Sequence, residues 1–341
     1  MLNVGIVGAT GYAGEELLDL LLGHPQVRIT HISAKIDKPA KIGSLFPRFS
    51  GRINLLCAEP NIGEIKATCD AVFLALPHTV SMDFVPSLLR ANKRVIDLSA
   101  DYRLSDIRLF EEFYKVAHKD KSHLPSAVYG LPELYRNTIK SAALIANPGC
   151  YPTVSILALA PLVAFGMVEV DSIIIDAKSG VTGAGRKASL DFCFPEINED
   201  FKAYKINNHQ HSPEINQELS KLAGKKLAVT FVPHLLPLSR GILATIYVRK
   251  TQRGARKPAQ KVLDVYRKFY KKEPFIRIKD EGDFPKLKDV VHTNFCDIAI
   301  KEEKEQLIIV AAIDNLLKGA SGQAVQNFNI MYGFPEKSAL V

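Results

Sequence analysis

Hydrophobic and polar positions in the first half of the chain alternate between the short period of strands and the longer period of helices. Stretches with helical spacing lie at residues 12–22 and 81–92. Apolar runs typical of buried parallel strands flank them, at residues 2–7, 27–32, 71–76, 94–98 and 142–146. This alternation predicts an α/β fold whose N-terminal part is a Rossmann-type doubly wound parallel sheet.

The second half has more strand-like segments and fewer helical periods. Helical spacing is found chiefly at residues 213–223 and 258–271, and residues 318–332 predict a last helix that returns to the first domain. Strand patterns lie at residues 172–177, 228–233, 242–248, 290–298 and 306–313. We therefore predict a C-terminal α+β domain built on a mostly antiparallel or mixed sheet.

Composition supports a folded protein with two domains. The chain has 341 residues, of which 47% are hydrophobic and 23% are charged. Its longest apolar stretch, residues 156–168, is interrupted by Pro161 and Gly166 and is too short to cross a bilayer. A strand pattern, not a signal peptide, follows Met1, and the five cysteines are scattered without a C-x-x-C pair. These features predict a cytoplasmic protein with no membrane partner, no disulfide framework and no zinc knuckle.

The net charge of +8 arises largely from two basic runs, at residues 249–257 and 267–272. Such runs can bind nucleic acid, but few aromatic residues accompany them for stacking on bases. We interpret them as a solvated basic surface and predict no nucleic-acid partner. A basic balance also suits a protein whose ligands carry phosphate groups.

A glycine-rich turn joins the first predicted strand to the first helix. Gly8, Gly11 and Gly14 have G-x-x-G-x-x-G spacing, a variant of the fingerprint that lets a pyrophosphate approach a helix N-terminus. The strand, helix and second strand around it support a dinucleotide site. The predicted cofactor contacts in this turn are Gly8, Thr10, Gly11, Tyr12, Ala13 and Gly14.

The ends of the following strands carry further ligand candidates. The second strand ends at Ser33, with Lys35 close behind, where NAD sites usually have an acidic residue for the ribose hydroxyls. A hydroxyl and a cation suit a 2′-phosphate, so NADP is the predicted cofactor. Pro77 begins the ligand-side loop after the third strand. Arg103 is a candidate anion clamp, although an isolated surface arginine would give the same pattern.

Cys150 lies in the run Asn-Pro-Gly-Cys-Tyr-Pro-Thr, residues 147–153, between an apolar strand and a predicted helix. A cysteine at a strand-to-helix turn is near backbone N–H groups and the positive end of a helix dipole. Both favour the thiolate, which attacks carbonyl carbon. The alternative is a small buried hydrophobic residue, which is the usual role of a cysteine without a disulfide.

Two polar loops of the second half add candidate chemistry. Residues 179–187 contain three glycines and two cations, which suit backbone contact with an anion or, alternatively, a flexible hairpin loop. His209 and His211 precede a predicted helix. A His-x-His pair can bind zinc, but no third ligand is evident nearby, and a general acid or base for Cys150 fits better. No metal site is predicted.

Together these segments resemble the N-acetyl-γ-glutamyl-phosphate reductases of the longer type, within the aspartate-semialdehyde-dehydrogenase superfamily. The Asn-Pro-Gly-Cys-Tyr-Pro-Thr run and the His-x-His-x-Pro-Glu run are the most specific matches. The matching stretches keep the family's order at residues 8–17, 75–81, 97–103, 147–153, 179–187, 209–215, 231–241 and 315–327.

The resemblance implies an arginine-biosynthesis enzyme that reduces an N-acylated amino-acid γ-acyl phosphate with NADPH. It implies that Cys150 forms a thioester and that hydride reduction then yields the semialdehyde. It also implies a proton shuttle, for which we favour His211 over His209. Implied substrate contacts are Arg103, Asn147, Glu214 and Arg240, and implied further cofactor contacts are Ser179, Gly180, Gly183 and Asn315.

The implied domains are residues 1–149 plus 316–341 for NADP binding and residues 150–315 for catalysis and oligomerisation. Family members typically form homodimers or homotetramers through the second domain. A related substrate that is one methylene longer, carried by a carrier protein in lysine biosynthesis, remains open. The basic runs could dock such a carrier, and a single methylene is worth only ~1–3 kcal/mol in an apolar pocket.

Two other functions fit the sequence less well. Short-chain dehydrogenases also begin with a Gly-x-x-Gly turn, but they need a Tyr-x-x-x-Lys pair, and none of the 11 tyrosines has a lysine four residues later. A non-catalytic NADP-binding sensor would keep the glycine turn and lose the chemistry. The presence of Cys150, both histidines and Glu214 argues against a sensor.

Overall fold

The computed structural model describes residues 1–251 and 261–341. The chain forms two compact units, here called unit 1 and unit 2. Unit 1 comprises Met1–Pro148 and Ala320–Val341, and unit 2 comprises Gly149–Gly319. Cofactor binding by the first predicted domain and catalysis by the second stay predictions.

The core of unit 1 is a parallel sheet. The first eight strands are β1 Leu2–Val7, β2 Val27–Ser33, β3 Ala40–Lys41, β4 Leu56–Cys57, β5 Ala71–Leu74, β6 Arg94–Asp97, β7 Val128–Tyr129 and β8 Leu144–Ala146. Six of them are hydrogen-bonded in the order β2-β1-β5-β6-β8-β7, all parallel, while β3 and β4 form a separate antiparallel pair. β2 lies on one side of β1, whereas β5 and the strands after it lie on the other side. The order therefore reverses between β1 and β5, and ligands bind at such a switch point in doubly wound sheets.

Helices connect these strands, and their apolar faces pack on the sheet. They are α1 Tyr12–Leu22, α2 Ile42–Leu45, α3 Ile62–Thr68, α4 Val85–Arg90, α5 Ile107–Tyr114 and α6 Pro132–Ser141. In α1 the buried residues Leu17, Leu18 and Leu21 lie on one face, at the helical spacing expected of an amphipathic helix. The predicted helix at residues 81–92 is divided into a 3₁₀ turn, Ser81–Asp83, and α4.

Unit 2 is built on a mixed seven-stranded sheet. Its strands are β9 Ile174–Ser179, β10 Lys202–Ala203, β11 Thr230–Leu235, β12 Ile242–Arg249, β13 Ile276–Ile278, β14 Cys296–Glu302 and β15 Gln306–Ile313, in the order β10-β11-β9-β12-β15-β14-β13. The pairs β11–β9 and β13–β14 are parallel, and the others are antiparallel. The predicted fold class, a parallel sheet followed by a mixed sheet, is confirmed.

The helices of unit 2 are α7 Cys150–Ala164, α8 Phe194–Ile197, α9 Ser212–Ala223, α10 Val262–Phe269 and α11 Leu287–Val290. Nearly every residue of α7 is buried, so this helix is apolar on all sides and forms the centre of the unit. Pro161 lies inside α7 and cannot donate to the carbonyl of Leu157. The hydroxyl of Tyr270 donates to that carbonyl at 2.5 Å instead, which satisfies it.

The C-terminal segment begins with a π-helical turn, Leu317–Ser321, and continues as α12, Gly322–Tyr332. Residues from Ala320 onward belong to unit 1. There the ring of Phe328 lies 5.4 Å from that of Phe73 on β5, so α12 packs on the parallel sheet.

One strand prediction is partly wrong. Residues 290–298 have the pattern of a strand, but only the part from Cys296 belongs to β14. Val290 ends α11, and His292 has a φ of +65°, which no strand residue adopts. The backbone N–H of His292 donates to the carboxylate of Asp314 at 2.7 Å, and this bond replaces a sheet partner.

Some predictions fall on the chain between residues 251 and 261. Residues 258–260 of the predicted helix and residues 252–257 of the first basic run lie outside the described residues. Among the residues that the structure does describe, no helix is long and apolar enough to cross a membrane.

Candidate active site

The glycine turn of unit 1 is closed by backbone-to-backbone contact. Gly8 has a φ of +95°, and a Cβ at this position would lie 2.2 Å from the carbonyl oxygen of Ala75, just beyond β5. A Cβ on Gly14 would lie 2.1 Å from the carbonyl oxygen of Gly8. Only glycine fits either position, since a side chain would collide with main-chain atoms that cannot move independently. The turn therefore lies at the switch point between β1 and β5.

Hydrogen bonds tie the glycine turn before α1 to the end of β2. The N–H groups of Gly8 and Ala9 donate to the carbonyl of Ser33 at 2.7 and 3.0 Å. Gly11 caps the helix with an extended backbone and no side-chain hydrogen bond. Thr10, Tyr12 and Ala13 are half-buried beside it. A helix N-terminus without a side-chain cap suits a pyrophosphate.

The end of β2 fits a cofactor with a polar group at this point. The Ser33 side chain is fully buried, and its Oγ has no hydrogen-bond partner within residues 1–251 and 261–341. Lys35, two residues further, is exposed. A buried hydroxyl without a partner costs free energy, so a ligand that bonds to it would be stabilised.

A buried pair of acids lies at the end of β6 and in the loop after it, and neither acid was predicted as a site residue. Asp97 accepts hydrogen bonds from Ser81 Oγ at 2.7 Å and from Ser99 Oγ at 2.8 Å. Asp101 accepts from the N–H of Thr79 at 2.6 Å and holds the loop after β5. Burial, and secondly the neighbouring Asp101, raises the pKa of Asp97 to about 7. The signal in the sequence is two aspartates four residues apart, one at the end of a strand and one in the loop after it.

Arg103 and Asn147 belong to one buried network of unit 1. Arg103 is only 6% exposed, and it donates through Nε to the carbonyl of Asn147 and through Nη2 to that of Leu98, both at 2.7 Å. The Asn147 amide donates to the carbonyl of Ala320 at 3.0 Å and accepts from Asn327 Nδ2 at 3.0 Å. Arg103 is therefore not an isolated surface arginine.

Pro77 is exposed on the loop that follows β5. Its neighbour His78 accepts the N–H of Ala100 through Nδ1 at 3.1 Å, which ties this loop to the loop after β6. Both loops follow the carboxyl ends of parallel strands, the edge where ligands bind in such sheets.

Cys150 is the first residue of α7, and Gly149 is its N-cap with an extended backbone. The N–H of Gly149 donates to Glu214 Oε1 at 2.9 Å. The carbonyl of Gly149 accepts the hydroxyl of Thr153 at 2.9 Å. Glu214, on the first turn of α9, therefore fixes the backbone directly before the thiol.

Two glycines give the thiol its immediate surroundings. A Cβ on Gly149 would lie 2.5 Å from Nε2 of His211, so the imidazole packs directly on this backbone. A Cβ on Gly319 would lie 2.8 Å from the Cβ of Cys150. Gly319 was not identified from the sequence, because nothing local indicates a contact with a residue so far away in the chain.

The two histidines have different surroundings. His209 accepts the backbone N–H of His211 through Nδ1 at 3.0 Å. Its ring packs edge-on against Tyr151, Tyr204 and Phe231, with centroids 5.5, 5.5 and 5.6 Å away. The His211 ring lies 4.8 Å from that of His209 and 6.0 Å from that of Tyr151, and it also packs on Gly149, one residue from the thiol. His209 thus supports the loop, whereas His211 contacts the cysteine turn.

The second glycine loop follows β9 and is anchored to the loop before β12. The N–H of Gly180 donates to the carbonyl of Gly241 at 2.9 Å, and a Cβ on Gly180 would lie 2.7 Å from the nitrogen of Arg240. Ser179 is buried and ends β9, while Gly183 has nothing closer than 3.7 Å to its Cβ position. This loop is not a hairpin, because the next strand, β10, pairs with β11.

Arg240 and Asn315 are both held by protein groups. Arg240 donates through Nε and Nη2 to the two carboxylate oxygens of Asp314, at 3.0 and 3.1 Å. Asn315 accepts the N–H of Gly241 at 2.7 Å and donates to Thr182 Oγ1 at 2.9 Å. The side chain of Asn315 thus links the two loops.

No disulfide joins any of the five cysteines. Burial raises the pKa of the thiols of Cys57 and Cys69, which suits small core residues. Cys150, by contrast, is partly accessible. Among the described residues, no group of three or more His, Cys, Asp or Glu side chains is arranged to hold a metal ion.

Comparison with known families matches both halves of the chain. Residues 3–142 match the family described as semialdehyde dehydrogenase, NAD binding domain. Residues 150–315 match the semialdehyde dehydrogenase, dimerisation domain. The chain is 46% identical over 340 residues to the N-acetyl-gamma-glutamyl-phosphate reductase of Pelotomaculum thermopropionicum, covering 99% of this chain and 97% of that relative. It is 49% identical over 348 residues to the enzyme of that name from Geotalea daltonii, covering 100% and 98%.

Solved structures with the same fold have much lower sequence identity. Aspartate semialdehyde dehydrogenase II from Vibrio cholerae has a TM-score of 0.71 at 18% identity and covers 98% of this chain and 99% of its own. Aspartate semialdehyde dehydrogenase with NADP from Candida albicans has a TM-score of 0.68 at 15% identity, covering 97% and 98%.

Proposed function

This chain belongs to the N-acetyl-γ-glutamyl-phosphate reductase family, and we propose that it reduces N-acetyl-γ-glutamyl phosphate to N-acetyl-glutamate semialdehyde in arginine biosynthesis. One observation carries the proposal. Cys150 is the first residue of an apolar helix, with the His211 ring packed on the residue before it. A thiol in this setting is a nucleophile with a proton acceptor one residue away.

The proposed chemistry begins with attack of the Cys150 sulfur on the acyl carbon. A C–S bond forms, the bond from the acyl carbon to the phosphate oxygen breaks, and inorganic phosphate leaves with the electron pair. Reduction of the resulting thioester by hydride gives the oxyanion of a thiohemiacetal. Cleavage of its C–S bond releases the aldehyde and returns the thiol. His211 accepts the thiol proton in the first step and returns a proton to sulfur in the last.

A nicotinamide cofactor, when bound, supplies the hydride. The fit of unit 1 to a dinucleotide rests on Gly8 and Gly14, where no side chain fits, and on the uncapped N-terminus of α1. We propose that the cofactor is NADP(H), because β2 ends in Ser33 and not in an acidic residue, with Lys35 nearby. The aspartate semialdehyde dehydrogenase of Candida albicans, which shares this fold, was likewise solved with NADP.

The remaining predicted residues divide between the two ligands. We propose that Arg103, Asn147, Arg240 and Glu214 shape the substrate site, Glu214 through the backbone of Gly149. Ser179, Gly180, Gly183 and Asn315 are proposed as further cofactor contacts. The match of unit 2 to a dimerisation domain supports an oligomer, and we propose a homodimer or homotetramer.

The test is the reverse reaction, the phosphate-dependent reduction of NADP⁺ by N-acetyl-glutamate semialdehyde. Wild type should form NADPH only when phosphate is present. The rate should fall by at least tenfold with NAD⁺ and should vanish in Cys150→Ala. A parallel assay with the semialdehyde one methylene longer tests the lysine-pathway substrate, which should react about 10–200-fold more slowly if the glutamyl assignment holds.

An inert wild type that still binds NADPH would contradict the glutamyl substrate. If the longer semialdehyde reacted equally fast or faster, the compound one methylene longer would be the substrate instead. NADPH formation without phosphate would contradict an acyl phosphate as the forward substrate.

A further inference from the structure

Asp314 connects three separate segments of unit 2. It follows β15 and is fully buried. Its carboxylate accepts two bonds from the Arg240 guanidinium at 3.0 and 3.1 Å and one from the N–H of His292 at 2.7 Å. It also accepts the N–H groups of Leu316 and Leu317 at 2.8 and 3.1 Å. A carboxylate in this position is held rigidly, because both of its oxygens are engaged.

The main chain of Asp314 also reaches the cysteine turn. Its carbonyl accepts the N–H of Gly319 at 2.9 Å and so closes the turn that follows. Gly319 is the residue at which an added Cβ would lie 2.8 Å from the Cβ of Cys150. The same residue therefore fixes the Arg240 head group and the backbone beside the thiol.

The geometry points to Asp314 as a positioning residue for the reaction. We propose that it fixes the plane of the Arg240 guanidinium so that Arg240 binds an oxyanion of the substrate, either phosphate or carboxylate. Side-on pairing through Nε and Nη2 fixes the orientation of this planar, five-donor group. The proposal rests on the proposed function, since it assumes that Arg240 contacts the substrate.

The chain offers a matched control in the pair Asp297 and Arg277. Asp297 is also fully buried in unit 2 and accepts a hydrogen bond from an arginine Nε. It lies on β14, and Arg277 lies on β13, so the pair joins two strands and not the loops around Cys150. Asp297→Asn makes the same chemical change at a site away from Cys150. It therefore measures the effect of disturbing a buried ion pair that has no proposed role in the reaction.

The experiment measures the Michaelis constants for phosphate and for N-acetyl-glutamate semialdehyde in the reverse reaction. Asp314→Asn should raise one of them by about tenfold or more, with a smaller change in kcat, while Asp297→Asn stays within about twofold of wild type. In an Arg240→Ala background, the further change Asp314→Asn should have almost no effect on that constant, because its target is absent.

A second readout is chemical rescue, measured in variants whose urea unfolding curves show that they are folded. Guanidinium ion added to Arg240→Ala should restore part of the activity, because Asp314 can hold the small ion where the side chain was. The same ion should not rescue the Arg240→Ala, Asp314→Asn double variant. If Asp314 only supported the fold, guanidinium would rescue the folded double variant as well as it rescues Arg240→Ala.

The inference would be overturned if Asp314→Asn behaved like Asp297→Asn. It would also be overturned if Asp314→Asn had the same effect with and without Arg240, or if guanidinium rescued Arg240→Ala and the double variant equally. An Arg240→Ala variant with unchanged Michaelis constants would overturn it as well. If wild type does not turn over at all, the proposed function fails separately. The same variants are then compared by protection of Cys150 from iodoacetamide with phosphate or N-acetylglutamate, which needs no turnover.

Discussion

Two strand-to-helix turns of this molecule have nearly the same backbone but different surroundings. Gly11 caps α1 with φ −73° and ψ 163°, and Gly149 caps α7 with φ −69° and ψ 156°. Neither turn has a side-chain cap. The first turn is lined by main-chain atoms of Gly8 and Ala75, whereas the second is lined by the side chains of His211 and Glu214.

This difference suggests how one local motif serves two tasks. A turn lined by backbone presents N–H groups and tolerates no side chains, which suits the binding of a pyrophosphate. A turn lined by an imidazole and a carboxylate can move protons and hold a nucleophile in place. The helix N-terminus is common to both, so the surrounding side chains determine the chemistry.

The comparison is tested most strongly at the first helical residue of each turn. Cys150→Ala should lower turnover by at least ~10³-fold, because no other group forms the thioester. Cofactor binding, followed by NADPH fluorescence, should be unchanged. The matched change is Tyr12→Phe on α1, for which we expect a change in turnover below about tenfold. Similar losses in both variants would contradict the assignment of chemistry to the second turn.

The two histidines near the second turn should differ in their effect on turnover. His211→Asn should lower kcat by ~10²–10⁴-fold, since its ring packs on the residue before the thiol. His209→Asn should have a smaller effect, because His209 accepts a backbone N–H and packs among aromatic rings. Steady-state kcat for both variants checks the order. A larger loss at His209 would reverse the assignment.

The glycines of the first turn should be far less tolerant of a side chain than Gly23, which caps the C-terminus of the same helix. Gly8→Ala forces a methyl group 2.2 Å from a carbonyl at a φ of +95°. We expect strain of ~1–3 kcal/mol and at least tenfold weaker NADPH binding. Gly23→Ala, whose added Cβ would lie 3.5 Å from the carbonyl oxygen of Leu20, should bind NADPH almost normally. Titration of NADPH fluorescence and urea unfolding measure both effects, and equal losses would contradict the steric account.

The buried acid of unit 1 should make stability depend on pH. Asp97 is fully buried near Asp101, and its pKa is raised to about 7. The unfolded aspartate titrates near ~3.9, so between these values the folded state keeps a proton that the unfolded chain has lost. This contribution to stability is complete below the unfolded pKa and is lost as the pH rises through about 7.

Asp97→Asn has no such proton, and so its stability should not fall in the same way. The free energy of unfolding of wild type, relative to Asp97→Asn, should be lower at about pH 8 than at about pH 5. Urea unfolding at the two pH values checks this, with Asp171→Asn, 78% exposed at its side chain, as a control that should follow wild type. Parallel curves for wild type and Asp97→Asn would rule out a raised pKa.

Much of the fold could be predicted because it depends on local periodicity. The strand and helix alternation of unit 1, the glycine turn and the helix after Cys150 are all visible in short windows of sequence. The strand predicted at residues 290–295 is wrong because a tertiary hydrogen bond from His292 to Asp314 takes precedence over an apolar pattern. Propensity cannot anticipate such a partner.

The surroundings of the site could be predicted only in part. Cys150, His209 and His211 were recognised from their motifs. The contacts of Gly319 with Cys150 and of Asp314 with Arg240 join residues that are far apart in the chain. Neither pair has a sequence signal of its own, and the difference between the two histidines follows from their packing.

The most direct test of the central claim is a single-turnover reaction without cofactor. The enzyme is mixed with N-acetyl-γ-glutamyl phosphate and quenched in acid, and the released phosphate is measured. The protein is then digested, and the masses of the peptides are determined by mass spectrometry. We predict a burst of about one phosphate per active chain, with an N-acetylglutamyl group on the peptide that contains Cys150. No burst, a modified peptide elsewhere in the chain, or an equal burst from Cys150→Ala would contradict the thioester account.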